Sequence, residues 1–236
     1  MVGSAVWFGI GASIFFISIV FFVWFAARRG TLRSPFYYLP PVHAAVAGTA
    51  YLGMTAAALG LLPGIVDIEL LRFADWMIST PIITYYIGLL ADVDSSTRSV
   101  AVGMNVLMIA LGYLFIVLSG PLQWIAFSAS LLLFVGLVYL FVRTFGQASV
   151  GASRTARSLF ISTRDLTVTV WSIYPLIYLL GPLGAGVLQA ADLDFTVVVL
   201  DLTAKVGLMS IILLRQYELN KFVSRDVSAV SRSADD

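Results

Sequence analysis

The chain has 236 residues, 60% of them hydrophobic and only 11% charged, with formal net charge +1 and mean hydropathy +0.96. No soluble globular domain of this size has that composition, so the chain is an integral membrane protein, and a charge this close to zero gives no sign of nucleic-acid binding. The absence of cysteine excludes disulfides and thiolate metal sites, and the single histidine, His43, leaves no basis for a histidine metal cluster or a Ser-His-Asp triad.

Apolar runs of about twenty residues or more mark helical spans, and seven follow along the chain. Span A, about 3–27, is long enough to cross a bilayer, and no signal-peptide cleavage site stands out. Span B, about 35–61, opens after TLRSPFYYLPP, where Ser34 is placed to cap it and Pro35 suits a first turn. Spans C to G follow at about 69–91, 97–118, 121–143, 157–180 and 190–216. SGP joins D to E. GPLGAG leads from F towards G and reads as a turn, because no strand precedes it to make a nucleotide-binding loop. The reading is an all-α, seven-transmembrane-helix bundle over residues 1–218, with a short polar cytoplasmic tail over 219–236.

Basic residues orient the bundle. Of the fourteen lysines and arginines, all but Arg72 and Lys205 fall on one side: Arg28, Arg29, Arg33, Arg98, Arg143, Arg154, Arg157, Arg164, Arg215, Lys221, Arg225 and Arg232. That side is cytoplasmic by the positive-inside rule, so the N-terminus is extracellular and the C-terminus cytoplasmic. The opposite loops carry Asp67, Glu69, Asp192 and Asp194. Arg72 and Lys205 must lie within the bundle.

Span G contains FTVVVLDLTAKVGLMSIILL, Phe195 to Leu214, with Lys205 near its middle. A charge at mid-bilayer costs about 2.5–3.5 kcal/mol on insertion scales, and such residues are usually functional. Asp201 lies four residues before Lys205, hence on the same helix face. Span C carries RFADWMISTPIITYY, in which Arg72 and Asp75 are three apart and also share a face. The expectation is one neutral cluster, Arg72 and Lys205 against Asp75 and Asp201, as burial in low dielectric favours. An ion network with a purely structural role is the bland alternative. Burial, however, favours the neutral amine, a nucleophile able to condense with an aldehyde. The resulting Schiff base, once protonated, needs a carboxylate counterion, and two are at hand. Trp76 adjoins Asp75, and WSIYPLIY in span F puts Trp171, Tyr174 and Tyr178 on one face. Pro175 should kink or loosen that span.

RFADWMISTP in span C together with DLTAKVG in span G resembles the microbial, archaeal-type rhodopsin family, and the resemblance covers all seven spans. It implies all-trans retinal bound to Lys205 as a Schiff base, Asp75 as counterion and proton acceptor, Asp201 as second counterion and Arg72 as the charge gate beside them. Trp76, Trp171 and Tyr174 would line the retinal. Tyr51, Met108 and Pro175 match further pocket positions, Tyr178 takes the place of a family tryptophan, and Ser79 lies close to the same site.

Within the family, proton pumps carry a carboxylic donor where this chain has Tyr86, and release glutamates where it has Leu183 and Leu193. A pump aspartate in span D is Asn105 here. Chloride pumps replace the counterion with threonine, which Asp75 argues against. Keeping the acceptor while losing the donor resembles sensory rhodopsin II, yet that group's threonine before the lysine is Ala204, and its transducer-contacting positions are Val199 and Gln189. The mosaic is most similar to the middle rhodopsins. The implied function is a non-enzymatic photoreceptor in the cell membrane, slow to regain its proton, with the lipid bilayer as its surroundings and a two-span membrane transducer as the implied partner; a homo-oligomer is compatible with the reading. The alternative is a slow light-driven outward proton pump. A seven-span receptor or transporter for a diffusible ligand leaves Lys205 unexplained. His43 reads as a hydrogen-bonded helix residue, Ser79 and Thr80 as bonding Asp75 or the backbone, and the glycines of spans A, D and E as packing positions.

Overall fold

Long uninterrupted helices follow from sequence runs in which apolar residues meet lipid on one side and the bundle on the other. The structure, a computed structural model, describes residues 2–29, 34–215 and 220. Among these, seven helical rods run up and down in chain order: α1 (Val2–Arg29), α2 (Pro35–Ala58), α3 (Ile68–Ala91), α4 (Ser95–Val117), α5 (Pro121–Gly151), α6 (Arg154–Leu180) and α7 (Ala190–Leu214). The side chains of Arg29, Arg33, Lys221, Arg225 and Arg232, and the tail 219–236 apart from Asn220, lie outside the described residues.

Length and apolarity alone mark α1, α4, α5 and α7 as able to cross a membrane. The other three are diluted by polar residues with identifiable places. α2 buries His43, Tyr37 and Tyr51, and α3 buries Arg72, Asp75, Ser79, Thr80 and Thr84. α6 carries Arg154, Arg157 and Arg164 in its first turns. The outside of the bundle is apolar, with Ile17, Val20 and Leu132 about 70% exposed (69%, 70% and 73%), as lipid contact requires. Inside, Phe8, Phe15 and Phe22 recur every seven residues along the buried stripe of α1.

Helix starts follow local capping chemistry. Asp67 accepts from Leu70 N at 2.7 Å and Asp94 from Thr97 N at 2.9 Å, each satisfying a free amide of the first turn. The Thr97 hydroxyl also donates to Asp94, at 2.6 Å, and these bonds hold that carboxyl below the usual carboxylate range. Ser34 does occupy the cap position of α2, with Pro35 behind it, but its hydroxyl makes no cap bond. α6 starts at Arg154, earlier than its apolar run, because Ser153 accepts from Ala156 N at 3.3 Å. It then runs unbroken through Pro175. GPLGAG is a turn, closed by Gly184 N to Gly181 O at 3.1 Å and with Gly186 at φ +66°.

Two helices contain a π-turn, in which a single extra residue is absorbed. One is Leu140–Thr144 in α5, which continues past the apolar stretch to Gly151. The other is Leu202–Gly207 in α7, and it contains Lys205. Such turns occur often at functional sites, where they re-aim a side chain.

Candidate functional site

The π-turn of α7 directs Lys205 into the bundle, where its side chain is buried among α2, α3 and α6. Its Nζ forms an ion pair with Asp75 Oδ2 of α3 and lies 3.1 Å from Asp201 Oδ2, one turn back on its own helix.

The two carboxylates differ in what surrounds them. Asp201 accepts from Tyr51 OH of α2 at 2.9 Å and from Tyr174 OH of α6 at 2.5 Å. Trp76 Nε1 of α3 also reaches both its oxygens at 3.2 Å. Asp75 pairs with Lys205 through Oδ2; its Oδ1 is buried with no full hydrogen bond among the described residues, and the Ser79 hydroxyl on the next turn of α3 lies beside the carboxylate. Asp201 is thus surrounded by four donors, and Asp75 by one cation and a neighbouring hydroxyl.

Arg72 departs from the expected neutral group of four. Its guanidinium, completely buried, donates to Glu69 Oε1 and Asp194 Oδ1, both at 2.5 Å, and approaches Tyr178 OH at 3.5 Å. Tyr178 OH in turn donates to Glu69 Oε2 at 3.1 Å. Long helical side chains point back towards the helix N-terminus, so Arg72 reaches outward to residue i−3 and away from Asp75 at i+3. There are consequently two clusters, Lys205 with Asp75 and Asp201, and Arg72 with Glu69 and Asp194. Each has one more carboxylate than cation. Glu69 and Asp194, which read as loop acids in the sequence, belong to the second cluster.

A cavity opens from the Lys205 amine and runs across the bundle to α5. Of the residues singled out from sequence, Trp76, Met108, Trp171, Tyr174, Pro175, Tyr178, Asp201 and Lys205 line it. Tyr51, Asp75, Ser79 and Arg72 do not; Tyr51 and Asp75 act one layer behind, on Asp201 and Lys205. Trp76 stands edge-on to Tyr174 at 5.0 Å between ring centres, which fixes the wall beside Asp201. The far wall comes from α4 and α5, with Phe115, Phe127, Ser130 and Phe134. Three of these, Phe127, Ser130 and Phe134, follow helical spacing along α5, a signal available in the sequence but passed over. At Gly112 a methyl group would meet Phe73 at 3.1 Å, so glycine keeps the cavity open there. Thr80 Oγ1 bonds Trp76 O at 2.8 Å and Asn105 Oδ1 at 2.7 Å, tying α3 to α4 under the cavity floor and not to Asp75.

Two further residues bear on the inner half. Tyr86 is buried and donates to Phe36 O at 3.0 Å, with the two rings edge-on at 5.4 Å. His43 is buried in α2 with no partner for Nε2 among the described residues. A mostly apolar slot that ends at an amine between two carboxylates can hold a long apolar aldehyde through that amine. The retinal implied by the sequence resemblance has that chemistry.

The bacteriorhodopsin-like protein family matches residues 2–218. The chain is 56% identical to Sensory rhodopsin III of Haloarcula marismortui, over 94% of this chain and 96% of that one. It is 31% identical to Sensory rhodopsin-2 of Natronomonas pharaonis, over 88% and 87%. Cruxrhodopsin-3 of Haloarcula vallismortis is 33% identical, over 91% and 90%. In fold, the chain superposes on thermophilic rhodopsin from Rubrobacter xylanophilus with a TM-score of 0.83 at 24% identity, covering 94% of this chain and 99% of that one. Family match, coverage and helical architecture agree: this multi-pass membrane protein is a member of the bacteriorhodopsin-like family.

Proposed function

We propose that the chain is a retinal photoreceptor of the sensory rhodopsin II or middle rhodopsin kind, oriented with its N-terminus outside and its basic end in the cytoplasm. One observation carries this reading: a buried lysine amine, at the head of an apolar cavity, is paired with two carboxylates, Asp75 and Asp201. All-trans retinal, attached to Lys205 as a Schiff base, supplies visible absorption and light-driven isomerisation. Trp76, Trp171, Tyr174 and Pro175 line the slot. Asp75, whose Oδ2 faces Nζ, would take the proton from it, while Asp201 is held beside the amine by Tyr51, Trp76 and Tyr174. Tyr86 offers no carboxylic acid for the return of the proton, and its hydroxyl is engaged by Phe36 O. Proton return is therefore slow, which suits a signalling state. The names of its relatives Sensory rhodopsin III and Sensory rhodopsin-2 support that role, and the partner in this reading is a two-span membrane transducer.

A second reading, a slow outward proton pump, is favoured by the outer cluster. Glu69 and Asp194, joined through Arg72 and Tyr178, place two acids on the outward side of Asp75, where a released proton can be held.

The test of the common core is Lys205→Ala. The purified variant, given retinal, is expected to lack the visible band while retaining its helical circular dichroism. A pigment formed by this variant without an added amine would rule out the assignment.

A further inference from the structure

At the end of the bundle that carries Arg28, Arg98 and Arg215, α5 and α6 line a second, open cavity of about 210 Å³, separate from the first. Arg143 and Gln147 line it from α5, and Arg157 and Arg164 from α6. The π-turn Leu140–Thr144 includes Arg143, which ties this widened stretch of α5 to the cavity. Arg164 is held from both sides. Its Nε and Nη2 pair with Asp165 at 2.8 and 2.7 Å, and its guanidinium lies over the Phe160 ring at 5.5 Å. Its Nη1 lies beside Gly146, where an added methyl group would make an ordinary contact at 3.6 Å. The side chains of Arg143 and Arg157 make no ion pair or hydrogen bond among the described residues. Three arginines thus line one cavity, Arg143 and Arg157 exposed and Arg164 half-buried, and among the described residues the only acid paired with any of them is Asp165.

Its setting adds a second requirement. Val142 and Val150, both lining the cavity, are 45% and 59% exposed, and Tyr139, one turn away, is 62% exposed. Cationic groups set against exposed apolar side chains match the boundary between headgroups and acyl chains. Guanidiniums bind phosphate oxygens through paired N–H donors, and basic pockets between transmembrane helices take phosphate-bearing headgroups.

We propose that the cavity between α5 and α6 is a binding site for a phosphate-bearing anion, with Arg143, Arg157 and Arg164 as its ligands. It stands independently of the photoreceptor reading.

The experiment uses the full chain in two arms. In one, the protein is reconstituted in nanodiscs of phosphatidylcholine with phosphatidylglycerol, released gently, and the retained lipid counted by native mass spectrometry. In the other, inorganic phosphate is titrated against the detergent-solubilised protein at constant ionic strength, with chloride as control, and followed by phosphorus NMR line width. Selective retention of phosphatidylglycerol with no phosphate binding identifies a lipid headgroup; saturable phosphate binding identifies the free anion. Either outcome supports the site. Arg143→Gln with Arg157→Gln is expected to weaken the binding by about an order of magnitude, whereas Arg28→Gln with Arg154→Gln, equal in charge but outside the cavity, leaves it unchanged. Equal loss in the two double variants would assign the effect to the diffuse charge of that end, and overturn the proposal. So would failure of both probes to bind the wild type, a result that decides the matter even if a variant does not fold.

Discussion

Asp75 and Asp201 are chemically identical, lie beside the same amine, and are distinguished entirely by their neighbours. Tyr51, Trp76, Tyr174 and Lys205 all donate to Asp201, while Asp75 pairs with Lys205 and has the Ser79 hydroxyl beside it. Each charge-assisted hydrogen bond favours the ionised form it serves. In the proposed pigment this makes Asp75 the acceptor and Asp201 a standing charge. Asp75→Asn is expected to move the visible band to the red, since a negative charge near Nζ is lost. It should also slow light-induced loss of the Nζ proton about a hundredfold or more, the range of a positioned base. Flash photolysis at the wavelength of the deprotonated form measures this. If that form accumulates as fast as in the wild type, another group is the acceptor.

At the level of helices, α1 and α2 approach so closely at Gly11 that a methyl group there would lie 2.5 Å from Tyr51 Cδ1. Tyr51 has little room to retreat, with Phe15 at 5.1 Å between ring centres on one side and Phe8 at 6.1 Å on another. Gly11→Ala is expected to cost roughly 1–3 kcal/mol as an overpacked site. It should also shift the visible band, by moving the Tyr51 hydroxyl from its 2.9 Å bond to Asp201. Gly103→Ala, where nothing lies within 4 Å, serves as the control and should be neutral or stabilising. Thermal melts and spectra of both variants decide; a Gly11→Ala protein indistinguishable from wild type would refute the close approach. The helices themselves were legible in the sequence, because lipid demands long apolar runs and leaves few alternatives. Their ends were less so. Arg143 read as the end of span E, since a π-turn has no hydropathic signature, and α5 in fact continues to Gly151. Lys205 and Asp201 were found by spacing within a single helix. The partners of Arg72 were misread for two reasons. Glu69 was assigned to a loop although it lies in the first turn of α3, and Asp194 comes from α7, at a distance that no local pattern records.

For the molecule as a whole, the rate at which the proton returns separates sensor from pump. On the inward side of Lys205, α3 buries Ile83 and Leu90, and its Tyr86 is tied to Phe36 of α2. The proton must then enter from bulk water, so recovery should slow as pH rises and quicken with azide, a small acid that carries protons. Tyr86→Asp is expected to accelerate recovery by about 10²-fold and to flatten its pH dependence, as a positioned acid does. Flash photolysis of both proteins across pH, with and without azide, is the measurement. Fast, pH-independent recovery in the wild type would turn the argument towards the pump. Asp201 has a consequence on this same scale. Its ligands come from α2, α3 and α6, and it shares α7 with Lys205, so four of the seven helices meet at one charged side chain. In the proposed pigment, a change of charge at the amine would therefore act at once on side chains held by four helices.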